Sequence, residues 1–197
     1  MLFYTETEVY MKKVYVFIAE GFEETEAIFP ADIMRRAGVE VLLVSCGSGT
    51  TARGAHNIHV VCDVTIADIK GEPLPDAVIL PGGLPGADNL AENANVRSLV
   101  LAMKDAGKVI AAICASPAIA FGSFGVLNGK NWTCYPGMEK EVPPADRAGW
   151  KQDRVVVDGN LVTSRGPGTA GEFGFALVDV LLGSGASAQL KKGMLCI

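Results

Sequence analysis

Cys114 stands where an apolar strand gives way to a helical stretch. The run Lys108–Ile113 ends at Cys114, and the small residues Ala115 and Ser116 follow it. A cysteine that ends a core strand is commonly an inert, buried side chain. A sharp strand-to-helix turn would instead hold the thiol out from the sheet edge, where the following amides and helix dipole favour a thiolate. The second interpretation is a nucleophile elbow with cysteine in place of serine.

A base for this thiol is hard to find among the histidines. A cysteine nucleophile usually has a histidine base, but the chain contains only His56 and His59, both far upstream. The alternative is a carboxylate from the acidic segment after the first strand. We expect Glu23 and Glu24 to complement the dipole of the helix that begins there. Glu26 leads into an apolar run, so we expect it to be drawn inward, to keep its proton and to hydrogen-bond or shuttle a proton to the thiol.

Two glycines end another apolar strand. The segment Asp76–Pro81 is followed directly by Gly82 and Gly83. Glycine permits positive φ angles and close backbone approach, so these amides and that of Ala115 could form an oxyanion hole. The alternative is an ordinary tight turn.

The elements that must position these residues follow from hydrophobic periodicity. Apolar, β-branched runs predict four buried strands, and amphipathic spacing predicts three main helices, the first containing Pro30 as a kink or break. Two further segments, 46–64 and 154–164, have the alternation and turn residues of hairpins. The strands are 12–19, 39–45, 76–81 and 108–113, and the helices are 23–38, 95–107 and 171–183. Alternating strands and helices predict an α/β domain with a mostly parallel sheet and ligands at the carboxyl ends of its strands.

The bulk properties limit the classes of partner. The 197 residues predict an N-terminal tail over 1–11, with Met11 as an alternative start, and one domain over 12–197. A net charge of -5 without a basic cluster speaks against nucleic acid and anionic membranes. No apolar run reaches the roughly 18 residues that span a bilayer, and no secretory signal opens the chain, so we expect the reducing cytoplasm.

The cysteines and glycines do not predict a metal site or a nucleotide cofactor. The five cysteines lack a CxxC spacing, which argues against a disulfide framework or a zinc site. The segment 166–171, GPGTAG, matches a dinucleotide pattern, but no further strand follows it to complete a βαβ unit.

Four stretches together resemble the ThiJ/PfpI superfamily, in particular its branch of the parkinsonism-associated deglycase and the bacterial ThiJ/YajL proteins. They are 20–38, 76–90, 111–120 and 161–183. The resemblance implies a flavodoxin-like α/β sandwich with helices on both faces of a mostly parallel sheet, commonly in a homodimer. It also implies that Cys114 is the reactive, oxidisable cysteine, that Glu26 is the protonated carboxyl beside it, and that Gly82, Gly83 and Ala115 supply backbone amides.

The departures from the family pattern narrow the expected function. The protease-like branch has a histidine directly after the elbow cysteine, where this chain has Ala115, so peptidase activity is not expected. A pocket histidine of the mammalian branch aligns with Tyr135, which can donate a hydrogen bond but is a poor base near neutral pH. The basic residue of the pocket matches either Arg53 or His56.

The resemblance implies two classes of function. The first is a cofactor-free glyoxalase or deglycase that acts on small dicarbonyls or their glycated adducts. The second is a non-enzymatic redox sensor or redox-regulated chaperone that works through oxidation of Cys114.

Overall fold

A computed structural model describes residues 11–196. The predicted tail over 1–11 lies outside the described residues except for Met11. Nine strands are present in this part of the chain: β1 Lys13–Ile18, β2 Glu40–Ser45, β3 Thr51–Arg53, β4 His59–Val61, β5 Val64–Thr65, β6 Ala77–Leu80, β7 Val109–Ile113, β8 Val155–Asp158 and β9 Leu161–Ser164.

Helices connect most of these strands. They are α1 Glu24–Arg36, α2 Gly86–Glu92, α3 Ala94–Asp105, α4 Gly122–Phe124, α5 Pro144–Arg147, α6 Ala170–Leu182 and α7 Ser187–Gly193. A π-helical turn at Pro117–Phe121 precedes α4, and 3-10 turns occupy Met138–Glu141 and Pro167–Thr169. No helix among residues 11–196 is long and apolar enough to cross a membrane.

Seven strands form the central sheet in the order β5-β2-β1-β6-β7-β9-β8. Every neighbouring pair is parallel except β8 and β9, which form the predicted antiparallel hairpin. Strands β3 and β4 pair separately as a second hairpin, within the predicted segment 46–64. The mostly parallel α/β architecture predicted from the sequence is confirmed.

Alternate residues of the central strands fill two cores, one on each face of the sheet. In β1, Val14 and Val16 pack with the side chains of α1 and α6, whereas Tyr15 and Phe17 pack with those of α3 and the π-helical turn. The layers therefore lie helix, sheet, helix. Each parallel strand directs its carboxyl end to the same edge, where the loops that carry the candidate residues begin.

Pro30 does not end the first helix. Helix α1 continues from Glu24 to Arg36 with Pro30 inside it. Its close neighbour is α6, where a Cβ atom on Gly174 would lie 3.0 Å from the Cα atom of Pro30. Packing against α6 thus stabilises α1 although Pro30 weakens the helix.

Candidate active site

Cys114 occupies a strained backbone conformation between β7 and the π-helical turn. Its φ angle is +64°, in the left-handed region that residues other than glycine rarely adopt. The Cys114 amide donates to the carbonyl of Ser164 (3.0 Å), and the Cys114 carbonyl accepts from the amide of Tyr135 (2.8 Å). The hydroxyl of Ser116 donates to the carbonyl of Pro81 at the end of β6. These hydrogen bonds fix the sharp turn that a nucleophile elbow requires. The side chain of Cys114 is half-buried.

Glu26 is fully buried in the first turn of α1. Its Oε2 accepts the amide of Gly82 at 2.9 Å, while its Oε1 has no hydrogen-bond partner among the described residues. Burial is the main cause that raises the pKa of Glu26, and the neighbouring charge of Glu23 adds to it. The hydrogen bonds with Cys114 and the Gly82 amide act in the opposite direction, and together these effects raise the pKa to about 7. The carboxyl therefore holds a proton over much of the range in which an ordinary glutamate is ionised.

The sequence predicts a lowered pKa for the Cys114 thiol, but the structure raises it. Burial raises the pKa of Cys114, and the adjacent Glu26 charge raises it further; the amides of Ala115 and Gly83 lower it by a smaller amount. The amides favour the thiolate as the sequence predicts, but the burial of the thiol outweighs them. Because the two side chains adjoin, ionisation of one opposes ionisation of the other, and the pair titrates as a unit.

The glycines at the end of β6 have separate roles. The amide of Gly82 is engaged by Glu26, while the amides of Gly83 and Ala115 interact with the Cys114 thiol. A Cβ atom on Gly82 would lie 2.6 Å from the Cβ of Cys114 and 2.8 Å from Oε2 of Glu26, which is closer than real side-chain atoms pack. Glycine at this position is what lets the strand end approach both candidate residues.

Glu23 and Glu24 form specific bonds rather than only complementing the helix dipole. Glu23 is the N-cap of α1: its Oε2 accepts the amide of Glu26 at 2.7 Å, and its own amide donates to the carbonyl of Gly82 at 2.9 Å. Glu24 accepts the backbone amide and the ring Nδ1 of His56, each at 2.8 Å. Glu23 therefore positions Glu26, and Glu24 holds the loop between β3 and β4 against α1.

The two basic residues considered for the pocket are engaged with glutamates. The guanidinium of Arg53 pairs with Glu20 at 3.0 Å, and His56 pairs with Glu24. Atoms of Glu23, Glu24 and His56 lie within 4.8 Å of one another, as metal ligands would. The hydrogen bonds of helix capping and loop attachment already account for this cluster.

Tyr135 and Gly166 complete the surroundings of the pair. Tyr135 is 48% exposed. A Cβ atom on Gly166 would lie 3.5 Å from the ring of Tyr135 and 4.0 Å from Oε1 of Glu26, so Gly166 is a neighbour of both side chains. Sequence reasoning missed Gly166 as a site residue, because GPGTAG was judged only as a nucleotide motif. Its position directly after β9, at the carboxyl edge of the sheet, was the available signal.

Comparison with known proteins decides the family. The sequence profile of the DJ-1/PfpI family matches residues 12–180. The chain belongs to the DJ-1/PfpI family. It is 36% identical to Protein dj-1beta of Drosophila melanogaster over 185 residues, which are 93% of this chain and 97% of the fly protein. It is 34% identical to the glutathione-independent glyoxalase DJR-1.2 of Caenorhabditis elegans over 176 residues, which are 88% of this chain and 90% of the relative.

Solved structures give the same assignment. The crystal structure of a cysteine-to-alanine mutant of a DJ-1 superfamily protein from Salmonella typhimurium superposes with a TM-score of 0.88 at 35% identity, covering 94% of this chain and 98% of that one.

One relative is much longer than this chain. The chain spans only 40% of the length of Protein DJ-1 homolog B of Arabidopsis thaliana, to which it is 38% identical over 91% of its own length. The family resemblance inferred from the four sequence stretches is thus confirmed.

Proposed function

We propose that this DJ-1/PfpI family member is a cofactor-free, cysteine-dependent glyoxalase or deglycase. Its substrates are small dicarbonyls such as methylglyoxal, or the adducts that they form. The observation that carries the proposal is the Cys114–Glu26 pair at the elbow, with the amides of Gly83 and Ala115 beside the thiol. The glyoxalase named among the relatives supports the same chemistry.

The reaction begins with the thiolate. Sγ of Cys114 attacks the aldehyde carbon of methylglyoxal, a C–S bond forms, and the carbonyl π electrons move to oxygen. The amides of Gly83 and Ala115 stabilise this oxyanion, which takes a proton from Glu26 to give a neutral hemithioacetal.

Glu26 then acts as a base. Its carboxylate removes the proton from the former aldehyde carbon and returns it to the neighbouring carbon, while the hydroxyl proton of the hemithioacetal passes to the ketone oxygen, so the ketone becomes an alcohol and the hemithioacetal becomes a thioester. Water attacks the thioester, the C–S bond breaks, and lactate leaves with the thiol restored. The net reaction adds one water to methylglyoxal, with no external oxidant or reductant. A carboxyl with a pKa of about 7 is suited to both steps, because it gives and accepts a proton near neutral pH.

The direct test measures lactate. Purified protein incubated with methylglyoxal without glutathione should form lactate, and Cys114→Ser should lower the rate at least about 100-fold because the hydroxyl is a far weaker nucleophile. Cys196→Ser, which removes an exposed thiol away from the elbow, is the matched control and should keep the wild-type rate. Equal rates for Cys114→Ser and wild type would refute the proposal.

A second candidate function is redox sensing or redox-regulated chaperone activity. The favouring observation is that a protonated Glu26 beside Cys114 can donate a hydrogen bond to an oxidised sulfur and stabilise a sulfinate. Intact mass after mild peroxide separates the two functions. A gain of two oxygens at Cys114, without any turnover of methylglyoxal, favours the sensor.

We also propose that the protein forms a homodimer in the cytoplasm. All five cysteines are free thiols, as a reducing compartment permits. Ile28 of α1 (38% exposed) and Ile58 (56% exposed) line one surface depression together with Phe29 and Val60. Burial of this apolar surface would drive association. Ile58→Glu should shift the mass measured by sedimentation to that of a monomer, and an unchanged dimer would contradict this interface.

A further inference from the structure

Gly166 lies at a point of the site where a side chain would fit and none is present. A Cβ atom on it would lie 3.5 Å from Cδ2 of Tyr135 and 4.0 Å from Oε1 of Glu26, which are ordinary van der Waals distances. Its φ of 166° and ψ of -174° describe extended backbone that any residue can adopt. Packing therefore does not require glycine here, in contrast to Gly82. Because Gly166 is buried, the missing methyl group leaves a methyl-sized space inside the protein.

The walls of this space are fixed to the elbow. The carbonyl of Ser164, two residues before Gly166, accepts the amide of Cys114 at 3.0 Å, and the amide of Tyr135 donates to the carbonyl of Cys114 at 2.8 Å. The hydroxyl of the buried Thr169 accepts the Gly166 amide at 3.1 Å and donates to the Gly166 carbonyl at 2.8 Å. The space therefore has a defined position relative to the thiol.

The proposed reaction requires a substrate atom at this distance from Glu26. Its carboxyl takes a proton from the former aldehyde carbon and returns it to the neighbouring ketone carbon, so both carbons must come within about 3–3.5 Å of a carboxyl oxygen. Oε1 is the oxygen without a partner among the described residues, because Oε2 accepts the Gly82 amide. A substituent on the ketone carbon is one C–C bond of about 1.5 Å farther away, which at a tetrahedral angle places it about 4 Å from Oε1. The space beside Gly166 lies at that distance.

We infer that the space beside Gly166 receives the substituent on the ketone carbon of the substrate, and that Gly166 thereby determines the size of substituent that the site accepts. The inference rests on the proposed function. It identifies the substrate class as α-ketoaldehydes such as methylglyoxal, whose methyl group would contact the ring of Tyr135. Glyoxal has only hydrogen at the corresponding carbon and gains no such contact.

The first test compares two substrates in one variant. Gly166→Ala fills the space with a methyl group of its own. The ratio of kcat/KM for methylglyoxal to kcat/KM for glyoxal, measured as lactate and glycolate formed without glutathione, should fall at least about tenfold, since room for one carbon in a fitted pocket changes discrimination by about 10–200-fold. A general defect of folding or catalysis would lower both rates and leave the ratio unmoved.

Two control variants accompany this comparison. Gly168→Ala adds a methyl group to the same loop with no other atom within 4 Å, so the ratio should keep its wild-type value. Tyr135→Phe retains the aromatic wall of the space and removes only the hydroxyl, so the ratio should again be unchanged even where both rates change.

A second test measures the space without turnover. Chloroacetone and chloroacetaldehyde both alkylate a thiol: the sulfur attacks the CH₂ carbon, the C–S bond forms, the C–Cl bond breaks with its electron pair leaving as chloride, and the thiol proton passes to solvent. The carbonyl carbon of the first adduct carries a methyl group and that of the second a hydrogen, as in the adducts of methylglyoxal and glyoxal. Peptide mass spectrometry should show that Gly166→Ala lowers the ratio of the two alkylation rates at Cys114 at least about fivefold. The exposed Cys196 in the same sample should keep its ratio.

The two tests separate this inference from the proposed function. If the wild type forms lactate and glycolate, an unchanged kcat/KM ratio in Gly166→Ala, or an equal fall in Gly168→Ala, overturns the inference. If the wild type forms neither product, the proposed function is wrong, and an unchanged alkylation ratio at Cys114 then overturns the inference on its own.

Discussion

Replacing Glu26 with glutamine should remove a pH dependence of stability that the buried carboxyl imposes. The glutamine carbonyl can still accept the Gly82 amide that Oε2 accepts at 2.9 Å, and the side chain keeps its volume. Only the ionisable proton is lost. The variant therefore isolates the cost of ionising a fully buried carboxyl beside Cys114.

The size and sign of the effect follow from the pKa values. The folded protein raises the pKa of Glu26 from 4.5 to about 7. Between these values the unfolded chain releases the proton while the folded protein retains it, so the free energy of unfolding falls as the pH rises. With about 1.4 kcal/mol for each unit of pKa, the wild type loses about 3 kcal/mol from this group between pH 4.5 and about 7. The Glu26→Gln variant has no ionisable proton at this position, so its free energy of unfolding does not fall for this reason.

The assay is urea unfolding of both proteins at one protein concentration and at half-unit steps from about pH 4.5 to 7.5. His56 contributes in the same direction, because its bond to Glu24 raises the pKa of the ring and its stabilisation disappears as the pH rises through that raised pKa. Since both proteins contain His56, its effect cancels in the difference. The difference in unfolding free energy should move by about 3 kcal/mol in favour of Glu26→Gln. Parallel curves for the two proteins would show that the Glu26 pKa is not raised.

Other contacts give further predictions. Gly82→Ala would place a methyl group 2.6 Å from the Cβ of the elbow cysteine, and we expect a loss of about 1–3 kcal/mol in thermal unfolding. Gly174→Ala would crowd the backbone of α1 and should cost a similar amount, whereas Gly168→Ala, with no atom within 4 Å of its new methyl group, should cost nothing measurable. Glu23→Gln keeps an acceptor for the Glu26 amide but removes a charge that raises the pKa of Glu26, so the midpoint of the pH–stability profile should move to lower pH; an unmoved midpoint would contradict this.

The sequence predicted those parts of the fold that depend on local periodicity. The last main helix was predicted over 171–183 and is α6, Ala170–Leu182, because its apolar residues recur at helical spacing. The buried strands are predicted by continuous apolar, β-branched runs, and the hairpins by alternation between turn residues. The sequence pattern leaves open whether Pro30 kinks the first helix or breaks it. The packing of α6 against α1 favours continuation, and it joins segments more than a hundred residues apart, which no local pattern contains.

The location of the candidate site could be predicted from the sequence, but the direction of the Cys114 pKa shift could not. The carboxyl ends of parallel strands meet at one edge, so the sequence could place Glu26, Gly82 and Cys114 together. The direction of the Cys114 pKa shift depends on how much of the thiol the surrounding chain covers, which is a tertiary property. The bond of Glu24 to the loop at His56 joins residues 32 positions apart and had no sequence signal.

A raised pKa at Cys114 is compatible with a reactive thiolate, because Cys114 and Glu26 share protons. The pair loses its first proton near pH 7, and the remaining proton can reside on either group. Since Oε2 of Glu26 accepts the Gly82 amide and Oε1 has no partner among the described residues, a proton on this carboxyl belongs on Oε1, where it can serve as a donor to a neighbouring thiolate. The amides of Gly83 and Ala115 stabilise the same thiolate. For the proposed activity we therefore expect the rate to depend on where the shared proton resides, and the pH–rate profile should report the pair rather than the thiol alone.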